Sequence, residues 1–310
     1  MKIIKNITSF FTDEKTFVTI GTFDGVHFGH QKILEKLVSE AKIAGKKSVL
    51  LTFFPHPRMV LQKDATIELI NTIDERAQLL EKTGLDYLII HPFSKEFSKT
   101  TALEFVKDIL VTTFNISKLI IGYDHHFGKN REGNIDQLTA YSHQYDFIVE
   151  EIPAQDVNDV SVSSTKVRRA LAAGNLKTAN NYLGYNFMLS GTVVNGKQLG
   201  GQIGYPTANI DVKEDYKLIP KTGVYVVKAS IENKTVFGMM NIGNRPTING
   251  NHQTIEVHFF DFNQDLYGNN LCVELLYFLR EEHKFDSVDS LVLQLKEDEN
   301  TARIYLQNSL

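Results

Sequence analysis

The stretch Gly-Thr-Phe-Asp-Gly-Val-His-Phe-Gly-His at 21–30 gathers three glycines, a carboxylate and two imidazoles directly after the apolar run Phe17–Ile20. Two histidines three apart on a helix could share a metal, but this stretch supplies no cysteine and no third ligand. A glycine-rich turn between a strand and a helix has a second use. Free backbone N–H groups and the positive end of the helix dipole face an anion there. Glycine lets the backbone approach the ligand closely. Imidazoles donate hydrogen bonds to phosphate oxygens and stabilise charge developing on them. A tight turn with incidental histidines is the plain alternative.

A second candidate lies at 162–171, Val-Ser-Ser-Thr-Lys-Val-Arg-Arg-Ala-Leu. Ser163 or Ser164 can cap a helix that ends at Gly174. Arg168 sits one turn in, with Lys166 and Arg169 beside it, an arrangement that suits a polyphosphate. Taken alone, it also fits a capped surface helix with a basic face. Gly191 to Lys197 spells GxxxxGK, but Gln198 stands where a P-loop needs Ser or Thr on the magnesium. The stretch also opens a β-rich region, so the P-loop reading is rejected.

The elements that must position these residues alternate in the first half. Phe17–Ile20, Ser48–Phe53, Tyr87–Ile90, Lys118–Ile121 and Phe147–Ile152 read as strands. Between them, Ile33, Leu34, Leu37, Val38, Ala41 and Ala44 form a helical stripe. Thr72 with Glu75, and Thr101 with Glu104, look like capping boxes. This rhythm predicts a mostly parallel, doubly wound sheet, whose ligands sit at the carboxyl ends of strands. After about Gly184 the pattern turns to short Val-, Ile-, Phe- and Tyr-rich runs broken by Gly, Asn and Asp. Gly191–Val194, Gly223–Ala229, Val236–Asn241, Thr254–Phe260 and Leu271–Leu279 predict an antiparallel barrel. Residues 287–308 predict a closing helix.

Composition narrows the function classes. The 310 residues suffice for two domains, and 42% hydrophobic with 23% charged residues is an ordinary globular balance. The net charge of −4 argues against a nucleic-acid or anionic-membrane partner. Cys272 is the sole cysteine, which excludes an internal disulfide framework and a CxxC metal motif, and reads as a small buried residue. The N-terminus does not read as a signal peptide, and no apolar run reaches membrane-spanning length. A cytoplasmic protein is expected.

His27-Phe28-Gly29-His30 resembles the HxGH signature of nucleotidylyltransferases. The longer run through Gln31 resembles the FMN adenylyltransferase module of bacterial bifunctional FAD synthetases, the riboflavin kinase/FMN adenylyltransferases. Phe53–Arg58 resembles that family's PHP loop, and 122–134 its glycine-bounded flavin loop, with His125 where the common pattern has an aromatic. Residues 162–171 resemble its SSTxIR signature, with Val167 for Ile. The run 191–210 resembles the glycine-spaced phosphate loop and PTAN motif of the kinase module, and 241–248, 256–268 and 278–287 resemble its later segments.

The resemblance implies a nucleotidylyltransferase-like Rossmann domain over 1–184, α/β with a parallel sheet. It implies an antiparallel β-barrel riboflavin kinase domain with a closing helix over 185–310. In the first, His27 and His30 would be catalytic. Gly21, Phe23, Asp24, Gly25, Gly29, Ser164, Thr165 and Arg168 would hold ATP, and Pro55, His56, Asp124, Phe127 and Arg131 the flavin. In the second, Gly191, Gly200, Gly204, Pro206, Thr207 and Asn209 would hold ATP, with Thr207 and Asn209 on Mg²⁺, a hard cation suited to oxygen ligands. Glu256, expected to point inward on the barrel and sharing a strand face with His258 and Phe260, would be the general base. Arg280 would contact the flavin and Phe285 would pack on its ring, while Glu281, Glu282 and Lys284 also fit a plain surface run. The implied reactions are riboflavin plus ATP to FMN and ADP, then FMN plus ATP to FAD and pyrophosphate. Alternatives are a protein with one live activity, a non-catalytic flavin-binding protein, or a metal-dependent hydrolase built on the histidines.

Overall fold

The computed structural model describes residues 1–62, 67–122, 126–152, 162–196, 199–247 and 250–309. The chain divides into two compact units, Met1–Ser164 and Thr165–Leu310.

In the first unit, β1 (Lys2–Ile4), β2 (Thr16–Ile20), β3 (Lys47–Phe53), β4 (Tyr87–His91), β5 (Ile116–Gly122) and β6 (Ile148–Ile152) form one sheet. Its order is β1-β4-β3-β2-β5-β6, and every neighbouring pair is parallel. The middle of β3, Ser48–Thr52, is buried throughout, as a strand covered on both faces must be. Strand order reverses at β2, so the crevice beyond the carboxyl ends of β2 and β5 is the place where such sheets bind ligands.

Helix α1 (Phe28–Ile43) buries Leu34, Leu37 and Ala41 on the expected stripe. After the short α2 (Pro57–Leu61) comes α3 (Ile73–Glu81), which opens on the Thr72–Glu75 capping box. A second box, Thr101 with Glu104, opens α4 (Ala102–Glu104), which runs into a wider π-helical segment, Phe105–Thr113. That segment buries Phe105, Val106, Ile109 and Leu110 in a core with Val18, Ile20, Ile121 and Phe127. Strand β1 and helix α5 (Ile135–Tyr145) escaped the periodicity reading.

The second unit continues α6 (Ser164–Ala172) and adds α7 (Leu176–Leu183), which Gly184 ends in a left-handed cap. Then follow β7 (Met188–Val194), α8 (Leu199–Gln202), β8 (Ala208–Asp211), β9 (Gly223–Ile231), β10 (Lys234–Thr247), β11 (Gly250–Phe259), β12 (Asn270–Arg280) and the closing helix α9 (Val288–Ser309). The strands close into a barrel in the order β10-β11-β8-β7-β12-β9.

Alternation assigns the two barrel faces. Tyr225, Val227, Met240, Ile242, Ile255, Val257, Val273 and Leu275 fill the inside and are buried. Val224, Val226, Met239 and Phe260 lie on the other face, where they pack with Tyr205 and with Ala302 and Leu306 of α9. Glu256 belongs to this outer face, because it pairs with Asn241, and Asn241 with Val224. The expectation of an inward Glu256 is therefore corrected. Its apolar neighbours Ile255 and Val257 take the interior, where an unpaired carboxylate would lose its hydration. Cys272 is half-buried on β12 rather than enclosed.

Candidate functional site

The first constellation grows out of the turn between β2 and α1. His27 is the N-cap of α1, and its Nδ1 accepts the His30 backbone N–H at 3.4 Å. An accepting Nδ1 places the His27 proton on Nε2 and makes that nitrogen a donor. The two imidazoles stack, with centroids 3.7 Å apart and planes 15° apart, and Phe23 continues the stack against His30 at 4.7 Å. Nδ1 of His30 is enclosed without a hydrogen-bond partner. Burial, then the neighbouring His27 and Arg76, hold the His30 imidazole well below the ordinary histidine range. His30 is thus neutral near pH 7, and imidazoles stacked this closely resist double protonation.

The turn itself is strained. Phe23 (φ 47°) and Val26 (φ 35°) adopt left-handed backbone, which a β-branched residue avoids. Gly25 (φ 86°) has no such cost, and a Cβ there would stand 2.8 Å from Ile70. A buried polar network holds this geometry. The Asp24 carboxylate, 1% exposed, accepts the Ile70 N–H at 3.0 Å and lies 3.6 Å from Nη2 of Arg76. Arg76, equally buried, donates to the Thr22 carbonyl at 2.8 Å. The Ser164 hydroxyl donates to the Asp24 carbonyl at 2.8 Å. Asp24 therefore faces inward, while Gly21 and Gly29 lie in the same turn and helix start. The signature residues Thr165 and Arg168 lie on α6, Thr165 exposed and Arg168 half-buried.

The expected flavin ligands are spread over other carboxyl-end loops. Pro55 is exposed just beyond β3. His56 caps α2, its Nδ1 accepting the Arg58 N–H at 3.2 Å. Phe127 pairs with Gly133 across a small bridge, and its ring is buried against Phe105. Arg131 lies in the short helical turn Lys129–Arg131. Asp124 and His125 lie outside the described residues.

The second constellation is a row across three strands. Asn209 of β8 pairs with Glu256 of β11, which pairs with Asn241 of β10. Directly opposed residues share a face, so three polar side chains stand side by side. Glu282 extends the row, since Asn241 Nδ2 donates to its Oε1 at 3.4 Å. Gly191 lies on β7, and Gly200 lies on α8 against the Tyr205 carbonyl. Gly204 takes φ 87° at the approach to Pro206 and Thr207. The Pro206 carbonyl accepts Nδ1–H of His258 at 2.8 Å.

Arg280 ends β12 in a fork on Asp298 of α9, with Nε to Oδ1 at 2.8 Å and Nη2 to Oδ2 at 2.7 Å. Its guanidinium carbon lies 5.9 Å from the Phe285 ring centre. Sequence reasoning missed Arg76, Asn241 and Asp298 as supports. For Asn241 a signal existed, since it opens the 241–248 stretch that resembles the kinase module. Among the described residues no group of three His, Cys, Asp or Glu side chains could hold a metal ion, and no helix is long and apolar enough to cross a membrane.

Comparison with known proteins separates the same two regions. Residues 10–166 match the FAD synthetase family and residues 183–306 the riboflavin kinase family. The chain is 36% identical over 300 residues to the bifunctional riboflavin kinase/FMN adenylyltransferase of Listeria monocytogenes, covering 96% of this chain and 95% of that protein. It is 38% identical over 293 residues to the enzyme of the same name from Haemophilus influenzae, covering 94% of each. A crystal structure described as a macrolide-efflux protein from Streptococcus pneumoniae superposes with a TM-score of 0.88 at 34% identity, covering 97% of this chain and 98% of that one.

Proposed function

We propose a division of chemistry for this chain, which belongs to the family of bifunctional riboflavin kinase/FMN adenylyltransferases and makes FMN and then FAD from riboflavin and ATP. We put the border between the modules at 184/185, at the end of α7, twenty residues beyond the point where the two compact units part. The observation that carries the division is the presence of two separately built constellations, one around the turn between β2 and α1 and one on the barrel strands β8, β11 and β10.

In the barrel, the 5′-hydroxyl of riboflavin attacks the γ-phosphate of ATP and ADP leaves. Glu256 takes the hydroxyl proton. Gly191, Gly200, Gly204 and Pro206 shape the loop around the nucleotide. Asn209, directly across from the Glu256 carboxylate, and Thr207, two residues before it, offer neutral oxygens that would suit the hard cation Mg²⁺. Mg²⁺, when bound, neutralises charge on the transferring phosphates. Phe285 supplies a face for the flavin ring, and Arg280 holds that segment in place.

In the first module, the FMN phosphate attacks the α-phosphate of a second ATP and pyrophosphate leaves. The nucleophile is already an anion, so no strong base is required. His27 and the neutral His30 donate to the crowded phosphate, which is positioning and charge stabilisation. Gly21, Gly25 and Gly29 bring backbone close to the nucleotide. Phe23 and Asp24 fix the turn from within. Ser164, Thr165 and Arg168 receive the pyrophosphate at a helix start. Pro55, His56, Asp124, Phe127 and Arg131 shape the flavin side.

Chromatography of flavins after incubation with riboflavin, ATP and Mg²⁺ tests this reading. FMN followed by FAD is expected. FMN alone would overturn the roles given to the first module. Unchanged riboflavin, with FAD formed from supplied FMN, would overturn those given to the barrel.

A further inference from the structure

None of the residues assigned to the two substrate sites lies on helix α9, yet two consecutive carboxylates on it reach the two sides of the kinase constellation. Asp298, 4% exposed, receives the Arg280 fork and is held by Gln294 Nε2 at 3.1 Å. A forked guanidinium–carboxylate pair is the geometrically demanding kind of ion pair. It anchors the start of the segment that carries Glu282 to Asn241 and Phe285 to the flavin side.

Glu299 faces another way, because successive helical residues diverge by about 100°. Its Oε2 accepts the Tyr205 hydroxyl at 3.2 Å, and its Oε1 accepts Nε of Arg303 at 2.9 Å. Arg303 is fixed in turn by a fork on Asp261. Tyr205 is buried, edge-on to His258 at 5.0 Å, and its backbone N–H is tied to the Gly200 carbonyl at 2.8 Å. His258 clasps the next residue, Pro206, by its carbonyl. The chain from Glu299 through Tyr205 thus ends on the turn that presents Thr207 and Asn209.

We propose that Asp298 and Glu299 are paired positioning residues of the kinase step, one for the flavin side and one for the nucleotide side. The inference rests on the kinase reading above. A shared helical anchor keeps the metal-ligand turn and the flavin-covering segment in register, although α9 itself carries none of the assigned ligands. Misplacement of reacting groups by about 1 Å can cost about 10²-fold in rate, so remote anchors of this kind have measurable effects.

Steady-state kinetics of FMN formation test the pairing, with FAD formation from supplied FMN and the melting temperature recorded for each variant. Wild-type FMN formation comes first; its absence would overturn the kinase reading itself. Tyr205→Phe and Glu299→Ala should each raise the KM for ATP about tenfold and leave that for riboflavin within about twofold, as expected for a lost hydrogen bond to a charged group. The double variant should be no worse than either single one. Glu299→Gln, which keeps an acceptor for Tyr205, should behave nearly as wild type. Asp298→Ala, or the milder Asp298→Asn, should raise the KM for riboflavin instead. Equal rises of both KM values in every variant, unchanged KM values, or additive losses in the double variant would overturn the proposal.

Discussion

The two units immobilise their polar residues by different means. In the first, backbone conformation does it. Phe23 and Val26 sit in left-handed φ, Asp24 and Arg76 are buried beneath them, and the His27–His30 stack rides on the result. In the barrel, strand register does it. Asn209, Glu256 and Asn241 are aligned because β8, β11 and β10 are, and the side chains remain half-buried. A strained, buried turn holds two stacked imidazoles at a fixed spacing. An outward-facing strand row sets a half-buried carboxylate between two amide side chains. Each arrangement suits the reaction assigned to it: one needs donors to an existing anion, the other a base.

The largest test of this contrast is to remove the proposed base. Glu256→Gln keeps the size of the side chain in the row but cannot act as a carboxylate base. FMN formation from riboflavin should fall by about 10²–10⁴-fold, while FAD formation from supplied FMN persists. Flavin chromatography with each substrate reads both numbers. Equal loss of the two would show that the barrel row is not specific to the kinase step.

The mirror-image change is His30→Ala. It removes the proposed donor to the phosphate and should lower FAD formation by about 10²–10³-fold, with FMN formation intact. If FAD formation survived, the stacked histidines would be capping α1 and nothing more.

Arg76→Met probes the support rather than the site. It leaves the Asp24 carboxylate buried without its ion-pair partner, a change that typically costs about 3–5 kcal/mol. Denaturant unfolding should show the first unit destabilised by that order, with FAD formation lost at lower denaturant than FMN formation. An unshifted transition would mean that the backbone strain at Phe23 and Val26 is held by apolar packing alone.

Much of this was legible in the sequence, for reasons that differ by region. The turn at 21–30 could be read because its chemistry is local: glycines, histidines and a helix start within ten residues. The parallel sheet followed from apolar runs alternating with helical stripes. Arg76 was not legible, because its partners Thr22 and Asp24 lie more than fifty positions away and no periodicity links them. The same holds for Tyr205 and Glu299, 94 residues apart. Glu256 shows a subtler limit. Alternation says correctly that Glu256, His258 and Phe260 share a face, but not which face is inside. That was decided by α9, which covers the Phe260 side. Short β8 and β1 were missed because a few residues carry too little pattern to stand out.

The contrast extends to pH, with the smallest expected effect. His30 is held below its ordinary value by burial, and so is His91, whose Nδ1 is enclosed without a hydrogen-bond partner. A histidine depressed in the fold binds fewer protons there than in the unfolded chain. Its contribution is complete above the unfolded value of about 6.5 and is lost as pH falls below it. In the barrel, burial raises the Tyr225 phenol, whose hydroxyl donates to the Lys221 carbonyl. A phenol raised in the fold holds its proton after the unfolded chain has released it. That contribution is complete below about pH 10 and is lost as pH climbs further. The first unit should therefore weaken toward acid and the barrel toward alkali, each by up to about 1.4 kcal/mol per pH unit for each group. Calorimetric scans from about pH 7 to about pH 5.5, and again above about pH 10, should show two transitions moving independently. His30→Asn should make only the acid limb shallower, leaving the share of His91, and Tyr225→Phe only the alkaline limb. If a single transition shifted in both the acid and the alkaline window, the units would be unfolding as one, and the difference in how they hold their sites would not extend to how they are stabilised.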